Sequence, residues 1–230
     1  MKRLEVIQKI INAKNARTYL EIGVSSGNVF LRIKARHKIA VDPNFRISKR
    51  KKLKWMIKNG YNISAKFHET TSDDFFENEP PVNGLDVAFV DGLHTYEQAL
   101  KDVNNALDHM NEHGVVIMHD CNPPHEAAAY PATSREDAAS LNLPGWTEEW
   151  SGDVWKAVCH LRSFRKDLDV FVLDCDVGLG IVTFGQPEDH LNFNEQELKQ
   201  LTYNDLAKNK KNWLNLKPAA YLNEFLTSIS

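Results

Sequence analysis

The side chains best suited to chemistry stand in two short stretches, Asp91-Gly92-Leu93-His94 and His119-Asp120. An imidazole titrates at about 6.5, so His94 is a candidate general base for a hydroxyl near neutral pH, with Asp91 as its companion in catalysis. Asp91 and Asp120 would also offer oxygen ligands to a hard cation such as magnesium. Each residue has a plainer reading: Asp91 before Gly92 shapes a turn, and a lone histidine is more often a hydrogen-bonded structural residue. A third set lies earlier, where Glu21-x-Gly23-x-x-x-Gly27 closes a short apolar run. Glycine lacks the Cβ that would keep a ligand from the backbone, so this turn can bring N–H groups to a ligand; its plain reading is a tight connection. Asp42 ends the next apolar run, where an acid can hold the two ribose hydroxyls of a nucleoside; alone it would only open the turn before Pro43.

For these groups to act together they must sit at the carboxyl ends of strands in an open α/β sheet, the edge where ligands of such sheets bind. The elements support that placement. Thr18 to Ile22 is β-prone and runs into the glycine turn, after which Asn28 to Ala35 is expected to be helical. Lys38 to Val41 leads to Asp42 and a charged helical stretch, and Leu85 to Val90 leads to Asp91. Leu100, Val103, Ala106, Leu107 and Met110 mark one helical stripe, and another strand follows at Gly114 to Met118. Strands alternating with helices predict βαβ units and a doubly wound, mainly parallel sheet. Val170 to Leu173 and Leu179 to Phe184, joined by a short connection, predict a terminal antiparallel hairpin.

Residues 1–186 are read as one domain. Prolines and Pro144-Gly145 break the rhythm from Asn122 to Asp153, which is expected to be an inserted lid over the substrate edge. After Pro187 the composition turns polar, and 187–230 reads as a helical appendage with patches at Glu195 to Lys208 and Ala219 to Ile229.

Composition bounds the rest. With 42% hydrophobic and 26% charged residues the chain is globular in character, and its net charge of −3 gives no general case for binding nucleic acid. The basic run from Arg46 to Lys52 reads as a solvated helix face. No apolar stretch approaches the roughly 20 residues that a membrane-spanning helix needs, and no membrane partner is expected. Three scattered cysteines suggest neither a disulfide framework nor a zinc site, so the cytoplasm is the expected compartment. A homo-oligomer is left open.

Four stretches carry a resemblance to a known family: Tyr19-Leu20-Glu21-Ile22-Gly23-Val24-Ser25-Ser26-Gly27, Val41-Asp42-Pro43, Phe89-Val90-Asp91-Gly92-Leu93-His94-Thr95-Tyr96-Glu97, and Gly114 through Cys121. In this order they resemble the class I S-adenosylmethionine-dependent methyltransferases, in particular those related to sugar and macrolide O-methyltransferases. The resemblance implies a Rossmann-like fold and S-adenosyl-L-methionine as cofactor. It implies that Glu21, Gly23 and Gly27 surround the methionine part, that Asp42 holds the ribose, that Ser72 and Asp73 stand near adenine, and that Asp91 closes the cofactor site. It implies methyl transfer to a hydroxyl of a small-molecule or sugar-like acceptor. Some relatives bind magnesium at the two strand ends; here Cys121 follows Asp120 and the amide, Asn122, comes one residue later, a departure from the usual ligand set. The rival readings are a nicotinamide-dependent oxidoreductase, whose Gly-x-Gly-x-x-Gly fingerprint is absent, and a catalytically silent S-adenosylmethionine-binding module.

Overall fold

Apolar runs with few polar interruptions build the strands, as expected where a parallel sheet is covered on both faces. The computed structural model describes residues 1–79 and 84–229. In chain order the elements are α1 (Arg3–Ala13), β1 (Thr18–Ile22), β2 (His37–Val41), α2 (Lys49–Lys58), β3 (Lys66–His68), α3 (Ser72–Asn78), β4 (Leu85–Val90), α4 (Tyr96–Asp108) and β5 (Met110–Met118). They continue with α5 (Arg135–Ser140), α6 (Trp155–Phe164), β6 (Leu168–Asp174), β7 (Leu179–Phe184), α7 (Glu195–Gln200), α8 (Tyr203–Trp213), β8 (Leu216–Pro218) and α9 (Leu222–Ser228).

The chain divides into two compact units, Met1–Gly92 with Asp102–Ile117 and Leu222–Ser230, and Leu93–Lys101 with Met118–Tyr221. In the first, strands stand in the order β3-β2-β1-β4-β5, and β1 runs parallel to both β2 and β4 while β2 runs parallel to β3. Tyr19, Leu20, Val87, Ala88 and Phe89 are buried here, and α1 turns Val6, Ile7, Ile10 and Ile11 inward. Helix α9 packs on α1. In the second unit β6 pairs antiparallel with β7, and parallel with β8 on its other side. The expected fold class, a mainly parallel α/β sheet with an antiparallel hairpin, is the one observed.

Three expectations need correction. Asn28 to Ala35 is not a helix but a run of turns, although Leu31 N–H still bonds to Gly27 and Ile33 N–H to Val29. Its carbonyls have other partners: Lys38 Nζ donates to Phe30 and Ile33, Asn59 to Leu31 and Ile33, and Asn62 to Leu31. Buried side chains thus take the acceptors that a continuing helix would need. The patch from Glu195 to Lys208 is two helices rather than one, because Thr202 and Asp205 form a capping box that restarts the backbone after Leu201. Finally, the strand expected at Gly114 begins at Met110.

Candidate active site

In the first unit the carboxyl ends of the parallel strands are joined closely. Gly23 N–H donates to Val41, Asp91 N–H to Ile22, and Asp42 N–H to His68. Gly23, Ser25 and Gly27 all have positive φ, at 83°, 46° and 70°. A Cβ on Gly23 would lie 1.9 Å from the carbonyl oxygen of Asp91 and 2.7 Å from Gly92 Cα. Glycine at 23 is therefore demanded by the end of β4, an intramolecular reason rather than the ligand approach expected from sequence. At Gly27 a Cβ would crowd Ile47 and Leu31.

Asp42, 7% exposed, accepts from Ser25 N–H and Asn44 N–H at 2.7 Å each, one on each carboxylate oxygen. It thereby ties the glycine turn to the end of β2 and keeps a second lone pair on each oxygen for ribose hydroxyls. The turn is held from outside as well, by Arg46 N–H to Ser25 and by Lys51 Nζ to the Ser26 carbonyl and Asn28 Oδ1. Ser72 and Asp73 occupy the first turn of α3, but Thr71 caps it, accepting from Asp74 N–H. Asp91 receives Arg3 Nη1 from α1 at 2.8 Å.

Glu21 is only 2% exposed, and its carboxyl accepts the Tyr19 hydroxyl at 2.5 Å. Burial pushes its pKa up to about 8, against the opposing effect of the Tyr19 hydroxyl. Burial likewise pulls Lys38 down to about 7, while its three acceptors, the Phe30 and Ile33 carbonyls and Asn62 Oδ1, match the three donors of an ammonium. Lys38 thereby holds the segment that follows the turn, at Phe30 and Ile33.

The second unit holds the imidazole chemistry. His94 Nδ1 meets the Trp150 carbonyl at 2.8 Å, and because a carbonyl can only accept, Nδ1 carries the proton. Nε2 faces the Asp120 carboxylate, with Oδ2 at 3.3 Å, so both ring nitrogens look onto acceptors and the imidazole forms an ion pair with Asp120 when it is protonated. His119 Nδ1 donates to the same Oδ2 at 2.8 Å, and Ser151 Oγ donates to Oδ1 at 3.0 Å. Asp120 itself has φ 60°, a left-handed conformation that Asp tolerates better than most residues. The Trp150 ring stacks on His94 with centroids 5.3 Å apart, and Gly152 packs so tightly that a Cβ there would fall 1.8 Å from the His94 carbonyl oxygen.

This arrangement spans the segment in which a known domain is recognised: residues 20–121 match the family model described as a methyltransferase domain. Solved structures similar in fold include an O-methyltransferase from Bacillus cereus in complex with S-adenosylhomocysteine, with TM-score 0.55 and 13% identity over 80% of each chain. Another is the O-methyltransferase TomG from Streptomyces achromogenes, involved in tomaymycin synthesis and solved with S-adenosylmethionine, with TM-score 0.54 and 12% identity over 79% of each chain. A third is an S-adenosylhomocysteine-bound methyltransferase from Podospora anserina, with TM-score 0.54 and 16% identity over 81% of this chain and 80% of that one. No curated protein matches the sequence.

Within the matched segment the residues anticipated from sequence fall into two sets. Glu21, Gly23, Gly27, Asp42 and Asp91 stand at neighbouring strand ends of the first unit, with Ser72 and Asp73 at the start of α3. His94 and Asp120 meet in the second unit. Sequence reasoning missed Trp150, Ser151 and Gly152, which lie beyond the matched segment in the stretch read as a lid, and it missed Arg3. Only the glycine at 152 carried a local signal.

Proposed function

We propose that this methyltransferase domain transfers the methyl group of S-adenosylmethionine to a hydroxyl of a small-molecule acceptor, with His94 as general base. The observation that carries the reading is the His94–Asp120 pair, in which Nε2 lies 3.3 Å from a carboxylate that would stabilise the protonated imidazole. When bound, the cofactor supplies an electrophilic methyl on a sulfonium. Asp42, with its remaining lone pairs, is suited to the ribose, and the backbone from Gly23 to Gly27 to the methionine part. Ser72 and Asp73 are assigned to adenine. His94 Nε2 takes the acceptor's proton, and the Asp120 carboxylate, held by His119 and Ser151, stabilises the imidazolium that results. Residues 122–153, which supply Trp150 and Ser151, serve as the acceptor-side cover.

Magnesium is the weaker reading. Arg3 pairs with one oxygen of Asp91, and His119 and Ser151 each donate to one oxygen of Asp120, so a metal would have to compete with these donors. We assign the protein to the cytoplasm, in keeping with its three free cysteines. Among the described residues no helix is long and apolar enough to cross a membrane.

Calorimetric titration should show binding of S-adenosylmethionine and none of NAD. His94→Ala should lower S-adenosylhomocysteine release with a panel of hydroxylated acceptors by about 10²-fold or more, with cofactor affinity unchanged. NAD binding without S-adenosyl binding would overturn the cofactor, and full turnover by His94→Ala would remove the base.

A further inference from the structure

The basic run that the sequence presents as a solvated face is more than that in the structure. From 43 to 68 the chain has eight lysines and arginines and no acid, so in a protein of net charge −3 the remainder carries −11. Helix α2 lies inside this stretch and buries none of its residues. Leu53, Met56 and Ile57, spaced i, i+3 and i+4, share one face and are 61%, 37% and 80% exposed. Tyr61 and Ile63 follow, 47% and 69% exposed. Arg50, Lys54 and Lys58, at i, i+4 and i+8, form the adjacent column. Trp55 turns inward, stacked beneath Arg32 and Lys58, and Lys52 lies over Phe45 and Phe67, so the helix is anchored by its other side.

We propose that this face seats on an anionic phospholipid bilayer, with Leu53, Met56 and Ile57 in the headgroup boundary and Arg50, Lys54 and Lys58 against the lipid phosphates. An apolar face flanked by lysine and arginine is the pattern of helices that lie in a membrane interface without spanning it. The charge complementarity selects an anionic surface. The apolar row selects a bilayer over a nucleic acid, since phosphate-backbone binding needs cations and no such row. Lys51, on the same helix, holds the glycine turn at Ser26 and Asn28, so the seated helix adjoins the cofactor turn.

The test is flotation of the full chain with vesicles of phosphatidylcholine alone and with added phosphatidylserine, at low and physiological salt. The protein should float with the anionic vesicles, less so in salt. Arg50→Ser and Lys54→Ser should each weaken partition about fivefold. Leu53→Ser with Ile57→Ser should weaken it about tenfold or more. All four positions are exposed, and unchanged melting and S-adenosylmethionine binding would show that the variants are folded. Failure to float with anionic vesicles would overturn the proposal whatever the enzyme assay shows. So would tight binding to duplex DNA that survives Leu53→Ser with Ile57→Ser, or a dimer in sedimentation that Ile57→Ser dissociates.

Discussion

Replacing Gly23 by alanine tests the packing of the ends of β1 and β4. The new Cβ would stand 1.9 Å from Asp91 O and 2.4 Å from Asp91 C, whereas an ordinary contact begins at 3.4 Å, so the ends of β1 and β4 must part by about 1.5 Å. That movement stretches the Asp91 N–H bond to Ile22 from 2.9 Å beyond hydrogen-bonding range, at about 1 kcal/mol. A side chain at φ 83° adds roughly 1 to 2 kcal/mol. The sum is about 2 to 3 kcal/mol, which for a chain of this size lowers the melting temperature by roughly 4 to 12 °C. Differential scanning calorimetry reads it, with Gly60→Ala as control, since a Cβ at Gly60 meets nothing within 4 Å. Gly60→Ala should melt with the parent. If Gly23→Ala also melts within about 2 °C of the parent, a loss of under about 1 kcal/mol, the account of the strand ends is wrong.

Two further outcomes follow from the same geometry. Lys38→Met removes the side-chain donor from the Phe30 carbonyl and from Asn62 Oδ1, while Asn59 still donates to Ile33, and should destabilise by about 2 kcal/mol or more at neutral pH. Because the folded-state pKa of Lys38 is lowered to about 7 from 10.5, folding releases a proton in that window, so the parent gains stability from pH 7 to 10 and the variant does not; parallel denaturation curves across that range would refute the assignment. Turnover should persist in a strong chelator, because Arg3 at Asp91 and His119 with Ser151 at Asp120 compete with a metal for these carboxylates; loss of activity restored by magnesium would make the carboxylates metal ligands instead.

The strand ends were legible because each apolar run stops at a residue with a local signature: Gly23 after Ile22, Asp42-Pro43 after Val41, Asp91-Gly92 after Val90. The hairpin from Leu168 to Phe184 was legible for the same reason. What sequence could not show is set by partners far along the chain. The segment from Asn28 to Ala35 has acceptable helical spacing, and only the arrival of Lys38, Asn59 and Asn62, up to 31 residues away, diverts its carbonyls. The tip of the hairpin holds Val177 at φ 63°, unfavourable for a β-branched residue, because Val177 and Gly178 accept the backbone N–H groups of Asn122 and Cys121. His94 illustrates both kinds of information. Its place just past a strand end marks it as a candidate from three neighbouring residues. Its partners come from far along the chain: Trp150, 56 residues later, whose carbonyl accepts from Nδ1, and Ser151, which donates to the carboxylate that Nε2 faces. Position was local information, whereas the partners were long-range. A motif can therefore name the imidazole, but only the fold can say what each of its nitrogens faces.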